Sequence, residues 1–149
     1  MLYKKVLAGG CFNHIHPGHI YFLQTAKKLG QEFTLILTND ANNKKPYAVP
    51  AKERIKMIEF LNIADKILVG DPRDKMKILE ETKPDIIALG YDQKLPWGLR
   101  EPNRINDHYF VLKFDSFIPV VRIKKFGRYS TQLIKTGQEN EFLRHNKPK

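Results

Sequence analysis

The chain has 149 residues, enough for one domain with a substantial core but not for two enzyme domains. Apolar residues make up 42% and charged residues 28% of it, as in ordinary soluble proteins, and its single cysteine excludes an internal disulfide and a cysteine-rich metal site. The formal net charge of +10 favours anionic ligands such as nucleotides.

No apolar run approaches the roughly 20 residues that span a bilayer, and the N-terminus leads into a predicted strand without a signal peptide. We therefore expect a cytoplasmic protein with no membrane partner. The positive charge would also suit nucleic acid, but most basic residues are spread along predicted helices as solvated faces. A nucleic-acid partner is therefore not expected.

Apolar runs alternate with segments of helical periodicity along the chain. In chain order, the predicted elements are a strand at 6–8, a helix at 19–29, a strand at 33–38, a helix from Pro50, a strand at 66–69, a helix at 75–82, a strand at 85–89, a strand at 120–123 and a helix from Ser130. The helix from Pro50 has its apolar residues at Ile55, Met57, Ile58 and Leu61. The pattern of residues 107–114 does not distinguish a helix from a strand. Their place in the alternation of strands and helices along the chain favours a helix.

This alternation predicts an α/β fold with a doubly wound, five-stranded parallel sheet of the Rossmann type. In such sheets, ligands bind beyond the carboxyl ends of the strands, near the switch in strand order. Four distant segments would line one cleft there: 10–19, 39–45, 90–93 and 127–131. We expect one domain over residues 1–137, followed by a basic tail over 138–149.

The segment Gly10-Cys-Phe-Asn-His-Ile-His-Pro-Gly-His19 lies where the first strand turns into the first helix. A helix start offers unpaired backbone N–H groups, and glycine lets an anion approach the backbone closely. His16 and His19, three residues apart, can project to one side of the first helical turn. The segment therefore predicts a phosphate-binding turn, although a plain turn with surface histidines is the alternative. Cys11 is expected to contribute its backbone rather than a nucleophile.

A second anion seat is predicted near the C-terminus, where Arg128 precedes Ser130 and Thr131. Either hydroxyl can cap the helix that begins there, and the N–H groups behind the cap can receive an anion beside the arginine. A plain capped helix is the alternative for this pair.

The turn at residues 10–19 resembles the nucleotidyltransferase signature Gly-x-Phe-Asp-x-x-His-x-Gly-His of the cytidylyltransferases. It matches five of the six specified positions and has Asn13 where Asp is usual. The residues in this turn that the resemblance implies bind nucleotide are Cys11, Phe12, His16, Pro17, Gly18 and His19.

The same resemblance implies roles for charged residues elsewhere in the chain. Lys44 or Lys45, in the loop after the second strand, would contact the α-phosphate. Arg128, together with Ser130 and Thr131, would hold the β- and γ-phosphates.

Two further residues match family positions more loosely. Asp92, in Gly90-Tyr-Asp-Gln93, lies in a loop that resembles the one approaching the base and ribose, and would accept hydrogen bonds. Arg54 matches an arginine common in that helix, but it could instead pair with Glu53 or Glu59.

These parts suit nucleotidyl transfer, in which an acceptor phosphate attacks the α-phosphorus of a nucleoside triphosphate and pyrophosphate leaves. The acceptor is already anionic, so catalysis requires positioning and charge stabilisation rather than a general base. The residues expected to supply it are His16, His19, Lys44 (or Lys45) and Arg128. No compact acidic cluster marks a protein metal site, so a divalent cation, Mg²⁺ by preference, is expected to arrive with the nucleotide.

Two stretches, His16–Gly30 and Ile78–Gln93, look very like the archaeal FAD synthases, which transfer AMP from ATP to FMN. A cytidylyltransferase acting on glycerol 3-phosphate or another polyol or sugar phosphate is the alternative, because it would share every phosphate contact. A third hypothesis is that the chain is a non-catalytic basic protein that binds nucleotide or nucleic acid. The resemblance also implies a homodimer, and Trp97 could stack on a flavin ring.

Overall fold

The computed structural model describes residues 3–74, 76–95, 109–113 and 117–127. Its strands and helices are β1 (Tyr3–Gly10), α1 (Pro17–Lys27), β2 (Gly30–Leu37), α2 (Ala51–Leu61), β3 (Lys66–Val69), α3 (Lys77–Thr82), β4 (Ile86–Leu89), β5 (Tyr109–Lys113) and β6 (Phe117–Arg122). The predicted helix from Ser130, Trp97 and the tail over 138–149 lie outside the described residues. The domain boundary at residue 137 therefore stays a prediction.

The described strands form one sheet in the order β3-β2-β1-β4-β6-β5. The five strands other than β5 are mutually parallel, which confirms the predicted doubly wound sheet. The chain runs outward from β1 through β2 to β3, and then returns to place β4 on the other side of β1. The switch in strand order therefore lies between β1 and β4, and the phosphate turn follows β1 directly.

The helix favoured for residues 107–114 is wrong, because Tyr109–Lys113 is strand β5. It pairs antiparallel with β6, with Tyr109 opposite Val121 and Lys113 opposite Phe117. Aromatic and β-branched residues favour strands, and an antiparallel strand at the edge of a parallel sheet is common. The order of elements along the chain could not reveal this, because a hairpin replaces the expected crossover.

Helices cover both faces of the sheet, as a doubly wound fold requires. On one face, Val6 and Ala8 of β1 pack with buried residues of α1 and α2. On the other face, Leu7 packs with Ile78 and Leu79 of α3. Adjacent residues of β1 thus point to opposite faces, each into an apolar core.

Helix α2 packs less of its apolar surface than its periodicity predicts. Ile58 is 1% exposed, but Met57 is 54% exposed, so the apolar positions of this helix do not all face the core. The buried position one turn before Ile58 is taken by Arg54, which is 1% exposed. None of the helices that the structure describes is both long and apolar enough to cross a membrane.

Candidate active site

The turn between β1 and α1 combines a left-handed backbone at Phe12, which is unfavourable for a bulky residue, with a close approach at Gly10. Phe12 has a positive φ of 52° and is buried. A Cβ atom on Gly10 would lie 2.6 Å from Cε2 of Phe12, closer than any real contact. Only glycine therefore fits at position 10 while the Phe12 ring occupies this place beneath the turn.

His16 and His19 form a reciprocal cap at the start of α1. The N–H of Gly18 donates to Nδ1 of His16 over 3.1 Å, and the N–H of His16 donates to Nδ1 of His19 over 3.2 Å. Pro17 occupies the first helical turn, where its missing N–H costs nothing. The two rings stack with their centroids 3.7 Å apart. Helix α1 thus begins two residues before the predicted start. The histidine side chains cap its N-terminus, a function more often served by Ser or Asp.

Both imidazoles are held in the neutral form. Burial lowers the pKa of His16 to about 4. Burial, together with the neighbouring His16, lowers the pKa of His19 to about 3, against an opposing hydrogen bond with the backbone of His14. Since each Nδ1 accepts a backbone N–H, the proton of each neutral ring is on Nε2. Each neutral ring therefore carries one N–H donor, on Nε2, and no formal charge. In His19 this donor is engaged by the backbone of His14.

The histidines line a cavity of about 570 Å³ at the carboxyl ends of β1, β2, β4 and β6. Its size is within the range of small-molecule sites. Of the predicted site residues, those that the structure brings together around it are Cys11, Phe12, His16, Gly18, His19 and Asp92. Pro17 lies between lining residues as the first residue of α1. Arg128, Ser130 and Thr131 lie outside the described residues, and their site roles stay predictions.

Of the two candidate lysines, Lys45 lines the cavity. Lys44 is exposed and is not among the residues that line it. Tyr47 follows two residues later and also lines the cavity, with its ring centroid 5.7 Å from that of His14. The loop after β2 thus presents Lys45 and Tyr47, rather than Lys44, to the cavity.

The loop after β4 is tied to its neighbours by side chains that the sequence did not single out. Gln93 accepts from the N–H of Gly90 over 3.1 Å and donates to the carbonyl of Gly9 over 2.9 Å. Arg122, at the end of β6, donates to the carbonyls of Gly90 and Gln93. In the sequence, only the position of Gln93 beside Asp92 indicates that it could belong to the site. These contacts join β1, β4 and β6 beneath the cavity.

The described partners of Arg54 are backbone carbonyls and Asp40, rather than Glu53 or Glu59. Its guanidinium donates to the carbonyls of Val49, Cys11 and Thr38 over 2.7, 2.8 and 2.6 Å. It also pairs with Asp40 at 3.1 Å. The buried arginine therefore joins the phosphate turn, the end of β2 and the start of α2.

The charged side chains in the described lining of the cavity are predominantly cationic. Lys45, Lys124 and Lys125 line it, and Asp92 is the one carboxylate among the lining residues that the structure describes. Lys125 also lies over the ring of Tyr91, with Nζ 5.0 Å from the centroid. Within the described ranges, no three His, Cys, Asp or Glu side chains are grouped so that they could hold a metal ion. The site is therefore suited to a polyanion.

Known proteins resemble this chain over most of its length. A family model described as cytidylyltransferase-like matches residues 7–137. The FAD synthase of Methanosarcina mazei is 44% identical over 102 residues, which cover 67% of this chain and 68% of that protein. The FAD synthase of Thermoplasma volcanium is 36% identical over 125 residues, which cover 82% and 83%.

A solved structure resembles the fold as well. The lipopolysaccharide core biosynthesis protein from Thermoplasma volcanium GSS1 matches with a TM-score of 0.58 and 40% sequence identity, over 62% of this chain and 79% of that one. The phosphate turn, the cavity at the switch in strand order and the family match over residues 7–137 agree with one another. The chain belongs to the cytidylyltransferase-like family of nucleotidyltransferases.

Proposed function

We propose that the chain is an FMN adenylyltransferase, which transfers AMP from ATP to FMN and releases pyrophosphate. The observation that carries the reaction class is the stacked, neutral pair His16 and His19 at the phosphate turn of a cationic cavity. The choice of FMN as acceptor is supported by the archaeal relatives that are named FAD synthases.

In this reaction, an oxygen of the FMN phosphate attacks the α-phosphorus of ATP. The new P–O bond joins the two mononucleotides as FAD, while the bond from the α-phosphorus to the bridging oxygen of the β-phosphate breaks. That oxygen leaves with its electron pair as part of pyrophosphate. The attacking phosphate is anionic at neutral pH, so no side chain has to remove a proton from it.

The site residues then act by positioning and charge stabilisation. The Nε2–H groups of His16 and His19 donate to the non-bridging oxygens of the α- and β-phosphates, where negative charge builds up in the transition state. His19 exchanges its hydrogen bond with the backbone of His14 for this contact. Lys45 neutralises the triphosphate from the loop after β2, and Arg128, with Ser130 and Thr131, holds its far end. Asp92 accepts hydrogen bonds from the ribose or base.

A divalent cation, Mg²⁺ by preference, completes the proposed site. The described lining offers Asp92 as a single carboxylate and no group of three ligands, so it fits a metal held chiefly by the phosphates of the nucleotide. When bound, the ion supplies charge neutralisation across the phosphate oxygens.

Substrate pairs test the proposal directly. The purified chain is given ATP or CTP with Mg²⁺ and one acceptor from FMN, glycerol 3-phosphate and a set of sugar phosphates, and pyrophosphate release is measured together with product mass. We expect ATP with FMN to give FAD. CTP with a polyol or sugar phosphate as the productive pair would instead establish the cytidylyltransferase alternative. No turnover with any pair, but tight nucleotide binding, would favour a non-catalytic binding protein.

We also propose that the protein is a homodimer, as the family resemblance implies. Phe60 of α2 is 86% exposed and Met57 is 54% exposed, which is unusual for large apolar side chains. Strand β3, at the edge of the described sheet, exposes Leu68 and Val69 nearby in sequence. Light scattering during gel filtration measures the mass, and a monomer at micromolar concentration would contradict the proposal.

A further inference from the structure

Asn13 stands where the family signature has Asp, and its side chain forms a reciprocal pair with Asn43. Nδ2 of Asn13 donates to Oδ1 of Asn43 over 3.1 Å, and Nδ2 of Asn43 donates back to Oδ1 of Asn13 over 2.7 Å. The backbone N–H of Val49 donates to the same Oδ1 of Asn13 over 3.0 Å. One amide on the phosphate turn therefore makes three hydrogen bonds to the loop after β2.

The two loop residues that Asn13 contacts bracket the residues that face the cavity. Lys45 and Tyr47 line the cavity, and Asn43 precedes them while Val49 follows them. The segment between lacks helix and strand, and its described backbone bond joins the N–H of Ala48 to the carbonyl of Lys45 over 3.1 Å. Asn13 thus holds both ends of a short loop whose middle lines the cavity.

The amide at position 13 fits this pairing where a carboxylate would not. Asn43 is only 7% exposed, so its Oδ1 needs a donor from the protein. A carboxylate at position 13 could still accept from Nδ2 of Asn43 and from Val49, but its second oxygen would face Oδ1 of Asn43 without a proton between them. It would also add a negative charge to the lining of a cavity that we expect to bind a polyphosphate.

We propose that Asn13 and Asn43 are positioning residues that hold Lys45 and Tyr47 against the nucleotide. The identity of the ligand in this inference rests on the proposed function. The hydrogen bonds that hold the loop do not depend on that function. In this chain, the exchange of Asp for Asn in the phosphate turn is matched by a buried asparagine 30 residues later. The two together form a neutral clasp between the phosphate turn and the loop after β2.

Limited proteolysis tests the clasp without any substrate. Trypsin cuts after lysine but not before proline, so in the sequence Lys44-Lys45-Pro46 it can cut after Lys44 and not after Lys45. Asn13→Ala and Asn43→Ala should each raise the rate of this cut about tenfold, as expected for loss of a buried hydrogen-bonded pair. The double variant should be cut no faster than Asn13→Ala, because that single variant already loses both bonds of the pair and the bond from Val49. Asn42→Ala is the matched control, since Asn42 is exposed and its described bonds use its backbone N–H.

Kinetics then distinguishes positioning from a general structural role. In the wild type, Lys45→Ala should lower kcat/KM for ATP, and in the Asn13→Ala background the same substitution should have little further effect. Asn13→Asp, which keeps the size of the side chain and the bond from Val49, should reproduce the faster cut if the alanine variant does not fold. Unchanged cutting in folded Asn13→Ala, Asn43→Ala and Asn13→Asp would overturn the proposal, as would full additivity of Asn13→Ala and Lys45→Ala. If no substrate pair gives turnover, the proposed function fails while the proteolysis result still decides the clasp.

Discussion

The rings of His16 and His19 stack 3.7 Å apart, and each ring accepts a backbone N–H through Nδ1. A single arrangement thereby satisfies two otherwise unpaired N–H groups at a helix start and fixes both tautomers. The capping function and the proposed catalytic function of each histidine are thus on different ring nitrogens, so they can be separated by mutation.

We predict that His16→Asn separates them. Asparagine places an acceptor oxygen where Nδ1 of histidine lies and is among the best N-cap residues, so α1 should remain capped. It removes the Nε2–H donor, and kcat should fall by about 10² to 10³, the size found for a single oxyanion-type contact. Single-turnover rates with ATP and FMN and urea unfolding provide the two measurements.

His16→Ala is the matched control for this prediction, because it removes the donor and the cap together. It should lose the same rate and, in addition, about 1 kcal/mol of unfolding free energy. If His16→Asn were fully active, the proposed donor role of Nε2 would be wrong. If it were as unstable as His16→Ala, the capping role would be wrong.

The lowered pKa values of the two histidines predict a distinctive titration. The chain has five histidines, and proton NMR should show that the signals of His16 and His19 do not titrate between pH 8 and pH 5, since their pKa values are lowered to about 4 and about 3. The signals are assigned from the His16→Asn and His19→Asn variants. A midpoint near pH 6.5 for either residue would show that its ring is not desolvated.

The same shifts predict how stability depends on pH. The unfolded chain takes up protons near pH 6.5 while the two folded histidines stay neutral, so the free energy of unfolding should fall as the pH falls. At pH 5, the loss relative to pH 8 should be about 2 kcal/mol for each histidine. The double variant His16→Asn, His19→Asn should lose correspondingly less over this interval, and an unchanged pH dependence in it would contradict the prediction.

The sequence predicted the position of the turn between β1 and α1 well because the pattern that marks it is local. A buried strand, glycines and a Pro-Gly helix start follow one another within ten residues, and the structure brings His16 and His19 to one cavity as expected. The contacts that it could not predict are those between distant segments. Nothing near Asn43 indicates that its amide meets Asn13, and the polar Arg54 gives no sign that it is buried. Such contacts depend on how loops meet above the sheet.

Arg54 yields a stability prediction with an internal control. Arg54→Met should lower the free energy of unfolding by at least about 3 kcal/mol, because it leaves three carbonyls without their donor. Asp40→Asn should cost less than about 1 kcal/mol, since Asp40 is 62% exposed and asparagine keeps an acceptor oxygen. Urea unfolding measures both. Equal losses would mean that the ion pair, rather than the carbonyl contacts, stabilises the start of α2.

The two adjacent lysines in the loop after β2 provide the last prediction, because only Lys45 lines the cavity. Lys45→Ala should lower kcat/KM for ATP by about 10- to 100-fold, as expected when a charge-assisted contact to phosphate is lost. Lys44→Ala, the same substitution one residue earlier, should change kcat/KM less than about threefold at 0.15 M salt, because Lys44 does not line the cavity and its longer-range attraction is screened. Initial rates over a range of ATP concentrations measure both. A larger effect at Lys44 would mean that the loop rearranges when the nucleotide binds, so that the lysine that does not line the cavity in this structure contacts the phosphate.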